Sequence, residues 1–195
     1  MEKEKKKKLK KGEYGYLKSK KKGAIVHTLL MFGIGVAIFV IGLLLNKMEP
    51  TNIFTVVAFL MVLPAAKAFV SFVVLFPYAS ISQEQKNSLA QYAREQDIVL
   101  YDVVFTSAEK IMHLDCIYIT KHQVIGYTSR EKDNLKIIEE YLKKELNIRC
   151  LDFKVYLAKE EKQIKDRMRL RGEEAQTNNS KAVEEVVEMI QLFTI

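Results

Sequence analysis

The chain contains no tryptophan and only two cysteines, Cys116 and Cys150, among its 195 residues. The two cysteines are not spaced as a Cys-x-x-Cys pair, and no cluster of histidine or cysteine surrounds either one. We therefore expect neither a disulfide nor a metal pair. Both cysteines lie in runs typical of strands, which predicts two small, buried apolar side chains.

The sequence also lacks the short motifs that accompany many enzyme reactions. It has no G-x-S-x-G elbow, Walker A loop, dinucleotide fingerprint or H-E-x-x-H helix. We therefore predict no catalytic residue and no cofactor, and we favour a non-enzymatic function over an enzymatic one.

Positive charge is confined to one end of the chain. Residues 1–22 hold 11 lysines and three glutamates, a net charge of +8, whereas the whole chain has a net charge of +7. The remaining residues therefore sum to −1. A general nucleic-acid-binding surface would need basic side chains on the body of the protein, so nucleic acid is not an expected partner.

Two long apolar runs follow the basic tail. Gly23 to Leu45 carries no formal charge, and Ile53 to Tyr78 is interrupted only by Pro64 and Lys67. At ~1.5 Å per residue each run covers the ~30 Å core of a bilayer, so we predict a transmembrane helical hairpin with spans at about 24–45 and 53–77. The alternative for the first run is a cleaved signal peptide. Its charged lead and its apolar core are too long for one, and no small-x-small cleavage site follows Leu45.

The distribution of lysines predicts the orientation of this hairpin. The turn between the runs has Lys47 balanced by Glu49, whereas the tail is strongly basic. The positive-inside rule then places both the N-terminus and the C-terminus in the cytoplasm, for a multi-pass protein of the plasma membrane. Without tryptophan, Tyr14, Tyr16 and Tyr78 are the aromatic side chains that flank the spans.

The tail itself has two interpretations. It could act only as the topology signal, which we favour as its main role, or its lysines could also contact an anionic inner leaflet at ~1 kcal/mol each. The candidate lipid-contacting lysines are Lys5, Lys6, Lys7, Lys8, Lys10, Lys11, Lys18, Lys20, Lys21 and Lys22.

Lys67 is the most unusual residue of the second run. It lies about 13 Å from the cytoplasmic end by helical rise, beyond the ~6 Å that a lysine stem reaches. Ser71 on the same helix face, with Thr28 and His27 about one turn closer to the cytoplasm on the first span, could form an intramembrane polar site with it. Pro64, about one turn before Lys67, predicts a kink in the same helix. We consider three roles for Lys67: an oligomer or structural contact, a snorkelled depth anchor, and a binding or translocation site.

Small residues in the two runs indicate close packing of the two helices, because small side chains let backbones approach each other in a membrane. The first run contributes glycines and the second contributes alanines. They are Gly33, Gly35, Gly42, Ala58, Ala65, Ala66 and Ala68.

The remaining residues, 79–195, are long enough for one compact domain. Ser82 and Gln85 fit a capping box that opens a helix to about Gln96. Strands are predicted at residues 98–106, 113–120, 123–128 and 151–157. Helices are predicted from Asp133 to about Asn147, over residues 159–171, and from Ser180 onward. We thus expect a polybasic tail (1–22), a hairpin (23–78) and a cytoplasmic α+β domain of order α-β-β-β-α-β-α-α (79–195).

The first six elements of this domain resemble the core of restriction-endonuclease-like, PD-(D/E)xK, nucleases. The resemblance lies in the element order and in Leu114-Asp115, followed by the strand C-I-Y-I-T, a turn and the strand Q-V-I-G-Y. It implies that Asp115 is a candidate metal ligand. However, the expected E-x-K falls on Thr128-Ser129-Arg130, so the resemblance implies a nuclease-like fold without the two-acid magnesium site. His113 shares a strand face with Asp115 and could form a metal pair, or a salt-linked or surface pair, with it.

Most of the chain is similar to an uncharacterised family of small bacterial two-span membrane proteins. The similarity rests on Tyr14-Gly15-Tyr16 within the basic lead, on Pro64-Ala-Ala-Lys67 and on Phe76-Pro77-Tyr78, and it implies no chemistry. We expect a membrane-anchored scaffold or binding module whose partners are the bilayer and either a second copy or another protein. The alternatives are a membrane-tethered Mg²⁺ nuclease or an inactive, nuclease-like relative of one, and a small oligomeric transport or accessory subunit.

Overall fold

The computed structural model describes residues 9–107, 110–170 and 180–195, which fall into two compact units. The first, here called the helical unit, is Leu17–Tyr78. The second, here called the sheet unit, joins residues 9–16 to Ala79–Ile195. The predicted tail of residues 1–22 therefore contributes to both units, because residues 9–16 pack with the sheet unit and Leu17 begins the helical unit.

The helical unit contains two long apolar helical stretches. The first is α1 (Tyr16–Leu45), and the second comprises α2 (Ile53–Leu60) and α3 (Val62–Leu75). Both stretches are long and apolar enough to cross a membrane. Asn52 caps α2 by accepting a hydrogen bond of 3.1 Å from the N–H of Thr55. The two helical stretches lie where the two spans are predicted, although α1 begins eight residues earlier than predicted.

The second stretch is divided at Met61, three residues before Pro64. Proline has no N–H, so the carbonyl of Leu60 receives no hydrogen bond from position 64, and the helix is weakened there. The interruption thus lies in the turn where the sequence predicts a kink.

Glycines of α1 allow the two stretches to approach each other. A Cβ built on Gly42 would lie 2.4 Å from Cβ of Phe54, and one built on Gly35 would lie 3.2 Å from Cβ of Met61. Gly33, by contrast, faces open space. Two of the three glycines therefore serve close packing, as the small-residue pattern predicts, and the third does not.

The sheet unit is built on a mixed four-stranded sheet with strand order β1-β2-β3-β4. The strands are β1 (Ile98–Thr106), β2 (Ile111–Ile119), β3 (Gln123–Tyr127) and β4 (Lys154–Ala158). The first three are antiparallel, and β4 is parallel to β3. The helices are α4 (Gln83–Ala90), α5 (Leu135–Ile148), α6 (Glu161–Leu170) and α7 (Ser180–Phe193). The predicted order of helices and strands matches the observed order.

Helices cover both faces of this sheet. The core on one face includes Ile138 and Leu142 of α5 together with Val186 and Ile190 of α7. The core on the other face includes side chains of α4 and α6, namely Leu89, Ile164 and Met168. The sheet is thus the middle layer of three, and its strands are buried over most of their length.

The two ends of the chain cover the open edge of β1. The N–H of Tyr101 donates to the carbonyl of Gly12 (2.8 Å), and the N–H of Ile195 donates to the carbonyl of Val104 (3.1 Å). The ammonium of Lys11 donates to carbonyls of Gln191 and Thr194. An uncovered edge strand is a template for unwanted pairing, so this arrangement protects β1.

Three local predictions differ from the structure. Helix α4 ends at Ala90, although a helix to about Gln96 was predicted. Asn134, and not Asp133, caps α5 by accepting a hydrogen bond from the N–H of Lys136 (3.1 Å). Cys116 is buried as predicted, but Cys150 is exposed, because it follows α5 in a left-handed conformation (φ 54°) and not in a strand.

Candidate functional site

Asp115 lies in the middle of β2 with only 1% of its surface exposed. One carboxylate oxygen, Oδ2, accepts a hydrogen bond from the N–H of Ser129, just beyond the end of β3. Burial raises the pKa of Asp115, and the nearby carboxyl groups of Asp102 and Asp133 raise it further, while the Ser129 N–H acts in the opposite direction. The fold therefore disfavours the ionised form of this side chain.

Asp102 lies opposite Asp115 on β1. Tyr101 pairs with Cys116 and Val103 pairs with Leu114, which places the two aspartates at the same level of the ladder. Asp102 is fully buried, and its Oδ2 accepts a hydrogen bond of 2.8 Å from the hydroxyl of Ser80.

The backbone of Asp102 is left-handed, with φ of 56°. Aspartate tolerates this region better than most residues do. The alternation of side chains shifts at this level: Leu100 and Val103 of β1 contribute to the same core cluster, and so do Leu114 and Ile117 of β2. At the two aspartates, the side chains of both strands therefore change the side of the sheet that they face, while the pairing register stays the same.

His113 completes a buried polar cluster, which we define as Asp102, His113 and Asp115. The Nε2 atom of His113 lies 3.8 Å from Oδ1 of Asp115, and the imidazole is fully buried. The structure thus brings the predicted His113–Asp115 pair together as a buried pair, not as a surface pair.

The positions that correspond to E-x-K lie beside this cluster. Thr128 is buried, and its hydroxyl lies 3.3 Å from Oδ2 of Asp133, to which it donates. Arg130 donates its N–H to the Thr128 hydroxyl (3.3 Å), and its Nε lies 4.0 Å from Asp133 Oδ2. A threonine, an arginine and an additional aspartate therefore hold the loop that joins β3 to α5.

This arrangement ties one oxygen of each carboxylate to a group of the sheet unit, Ser80 for Asp102 and Ser129 for Asp115. Asp102 and Asp115 are buried, so neither carboxylate can contact a hydrated ion or a substrate unless the sheet unit opens locally. Within residues 9–107, 110–170 and 180–195, no three His, Cys, Asp or Glu side chains are placed to hold a metal ion. Asp115, the candidate ligand, has instead a hydrogen bond to the backbone.

The predicted lipid-contacting lysines have different environments. Lys5, Lys6, Lys7 and Lys8 lie outside the described residues. Besides Lys11, Lys21 is engaged, because its ammonium donates to the carbonyls of Phe76 and Tyr78 after α3. The side chains of Lys10, Lys18, Lys20 and Lys22 are exposed, so a lipid contact of these residues stays a prediction.

Lys67 is exposed on α3, and the described residues offer its ammonium neither a hydrogen bond nor an ion pair. The hydroxyl of Ser71 donates to the carbonyl of Lys67 (3.1 Å), and that of Thr28 donates to the carbonyl of Ala24 (2.9 Å). Both hydroxyls therefore use their hydrogen on their own helix. His27 is exposed, and the structure does not join it to Lys67.

Sequence reasoning missed Asp102 and its partner Ser80. A signal was present, since Asp102 is the only charged residue in the predicted strand I-V-L-Y-D-V-V-F-T. A charge in a buried strand needs a partner, which marks the residue for attention. The partner lies 22 positions away in a segment without regular structure, so no local pattern could identify it.

Replacing Asp115 by asparagine should stabilise the sheet unit more at pH 8 than at pH 4. A raised pKa means that ionisation costs free energy in the folded state, and this cost is absent below the unfolded pKa of ~3.9 and grows as the pH rises through the folded pKa. Asparagine resembles the protonated acid and avoids that cost. Urea unfolding at both pH values measures the difference, with the exposed Asp152→Asn as the control. A variant that becomes relatively less stable as the pH rises would show instead that His113 stabilises the carboxylate.

The chain as a whole matches no protein-family model, no curated protein and no solved structure.

Proposed function

We propose that this protein is a membrane-anchored, non-enzymatic binding module whose helical unit crosses the bilayer twice. The observation that carries the proposal is the exposed apolar surface of that unit. Only 11% of the most apolar window of each helical stretch is buried, whereas a core helix of a soluble protein would be mostly buried. Large side chains such as Leu29, Phe32, Leu44, Phe59 and Leu63 are more than half exposed. A lipid environment would solvate such a surface.

The distribution of charge supports a cytoplasmic location for both chain ends. Lys18, Lys20 and Lys22 are exposed in the first turns of α1, next to the apolar segment. The turn between the helical stretches carries Lys47 and Glu49, which cancel. A basic flank on one side and a neutral turn on the other favour an inward-facing N-terminus at the plasma membrane. Exposed lysines at that flank would also attract anionic lipid of the inner leaflet.

The enclosure of the buried polar cluster supports binding over catalysis. Its carboxylates are used to join β1 and β2 to neighbouring loops, so the sheet unit would act through its surface on a protein partner or a second copy. A nuclease-like enzyme, which the element order suggests as the alternative, would need Asp115 to reach a metal ion. A transport or accessory subunit is a further alternative, for which Lys67 is the relevant residue.

Accessibility of single cysteines tests the membrane topology. In intact cells, a membrane-impermeant maleimide should label Asn46→Cys, in the turn after α1, and should leave Cys150 unlabelled until the cells are permeabilised. Cys150 is exposed and so serves as the native reporter, while Cys116 is buried. The Asn46→Cys variant would carry Cys150→Asn, because asparagine tolerates the left-handed backbone at that position.

Three outcomes would contradict the proposal. Labelling of Cys150 in intact cells would show that the orientation is the reverse of the proposed one. Extraction of the protein from membranes by carbonate would show that the helical unit is not a membrane anchor. The purified full chain could also be tested for metal-dependent cleavage of nucleic acid. Cleavage that is lost in Asp115→Ala would show that the protein is an enzyme and not a non-enzymatic binding module.

A further inference from the structure

A cation that has no partner among the described residues lies on an exposed side of α3. Lys67 is exposed, as are Leu63, Ala66 and Val70, which are three or four positions apart and so share one side of the helix. Ala66 has a small side chain, which would allow another backbone to come close. This side of α3, which we call the Lys67 face, is therefore apolar except for the Lys67 ammonium and the Ser71 hydroxyl, which donates to the carbonyl of Lys67.

If the helical unit spans a bilayer, as proposed above, this ammonium cannot be fully solvated. Lys67 is eight residues from Leu75, the last residue of α3, or about 12 Å by helical rise. A lysine stem covers only ~6 Å of that distance. Charged side chains at such depth almost always pair with another polar group.

The helical unit and a second copy of it are poor sources of that partner. Residues 24–45 and 53–75 contain neither aspartate nor glutamate. The hydroxyls of Ser71 and Thr28 donate to carbonyls of their own helices, and their oxygens are neutral acceptors that cannot balance the charge of an ammonium. In a two-fold dimer through the Lys67 face, two ammonium groups would also lie in one interface and repel each other.

We propose that the Lys67 face docks a transmembrane helix of a different protein, one that carries an aspartate or glutamate at matching depth. Charge complementarity selects this partner, because an ion pair in the low-dielectric core satisfies both groups at once. The inference rests on the proposed function, since it requires the helical unit to be in the membrane. It specifies which helix face binds and which side chain the partner must supply.

The test uses the full chain in zwitterionic lipid vesicles, with a synthetic polyleucine helix as the probe. The probe carries one glutamate at its centre, and its matched control carries glutamine. Energy transfer from a dye on Asn46→Cys, in the Cys150→Asn background, to a dye on the probe reports association. We expect the glutamate probe to associate roughly tenfold more tightly than the glutamine probe. Lys67→Arg should keep this preference, and Lys67→Leu should abolish it.

Lys162→Leu is the matched control, because it removes one exposed lysine of the sheet unit and should leave the preference unchanged. A preference that survives in Lys67→Leu, or no preference in the native chain, would overturn the proposal. Self-association that is lost in Lys67→Leu would assign the face to a second copy and overturn it too. So would a Lys67-dependent effect of anionic lipid without any glutamate preference, which would assign the ammonium to a lipid phosphate.

Insertion is measured on the same vesicles by accessibility of the cysteine at position 46. Failure to insert would overturn the proposed membrane function and this inference together. Normal insertion without glutamate-selective association would overturn only the docking of a carboxylate-bearing helix.

Discussion

Phe105→Ala should lower the free energy of unfolding of the sheet unit by about 3–5 kcal/mol. The Phe105 side chain is fully buried in the core on the α5 and α7 side, and its ring centroid lies 6.0 Å from that of Tyr141. Its backbone also forms the bridge to Thr194 at the C-terminus. Loss of the ring would leave a cavity at the place where the sheet, α5 and the end of the chain meet.

Urea unfolding of the detergent-solubilised chain, followed by far-ultraviolet circular dichroism, measures this loss. Leu192→Ala is the matched control, because Leu192 is 70% exposed in α7 and its truncation should change the stability by less than about 0.5 kcal/mol. A loss of under 1 kcal/mol for Phe105→Ala would contradict the described packing of this core.

Gly126→Val is expected to destabilise the sheet unit by about 3 kcal/mol, and Gly126→Ala by about 1 kcal/mol. A Cβ on Gly126 would lie 2.6 Å from Cδ2 of Leu157 on β4 and 3.0 Å from Cδ1 of Leu114 on β2. Glycine is required here because side chains of both neighbouring strands close over its position. Valine adds two further methyl groups to the same space.

A double-mutant cycle separates this overlap from a general loss of strand stability. Leu157→Ala removes the nearest atom, so Gly126→Ala should cost less in the Leu157→Ala background than in the native chain. The free energies of unfolding of the four proteins, measured in urea, provide the comparison. Strict additivity of the two substitutions would show that Leu157 does not cover Gly126.

Elements that depend on local interactions could be predicted well from the sequence. Ser82 and Gln85 form the predicted capping box, with reciprocal hydrogen bonds between side chain and backbone. The apolar residues of α5 at helical spacing, Ile138, Leu142 and Leu146, are all buried. These features involve partners within one or two turns, and periodicity is sufficient to identify them.

Features that depend on distant residues could not be predicted in this way. The sequence places Lys11 in the basic tail, but its ammonium donates to carbonyls about 180 positions later. The run that includes Cys150 is typical of a strand, but α5 extends to Ile148 and only residues from Lys154 pair with β3. In both cases the local structure depends on contacts with residues distant in the sequence, which the local sequence pattern does not contain.

The candidate site shows the same division. The sequence by itself determined that the chain has two apolar stretches long enough for a membrane, one lysine within the second, and an α+β segment of defined element order. These follow from composition and period, which act along the chain. Only the tertiary structure decided that Asp102 lies opposite Asp115, that both are buried, and that Lys67 lies on an exposed side of α3. Burial and pairing are properties of the surroundings of a side chain, and the fold alone brings those surroundings together.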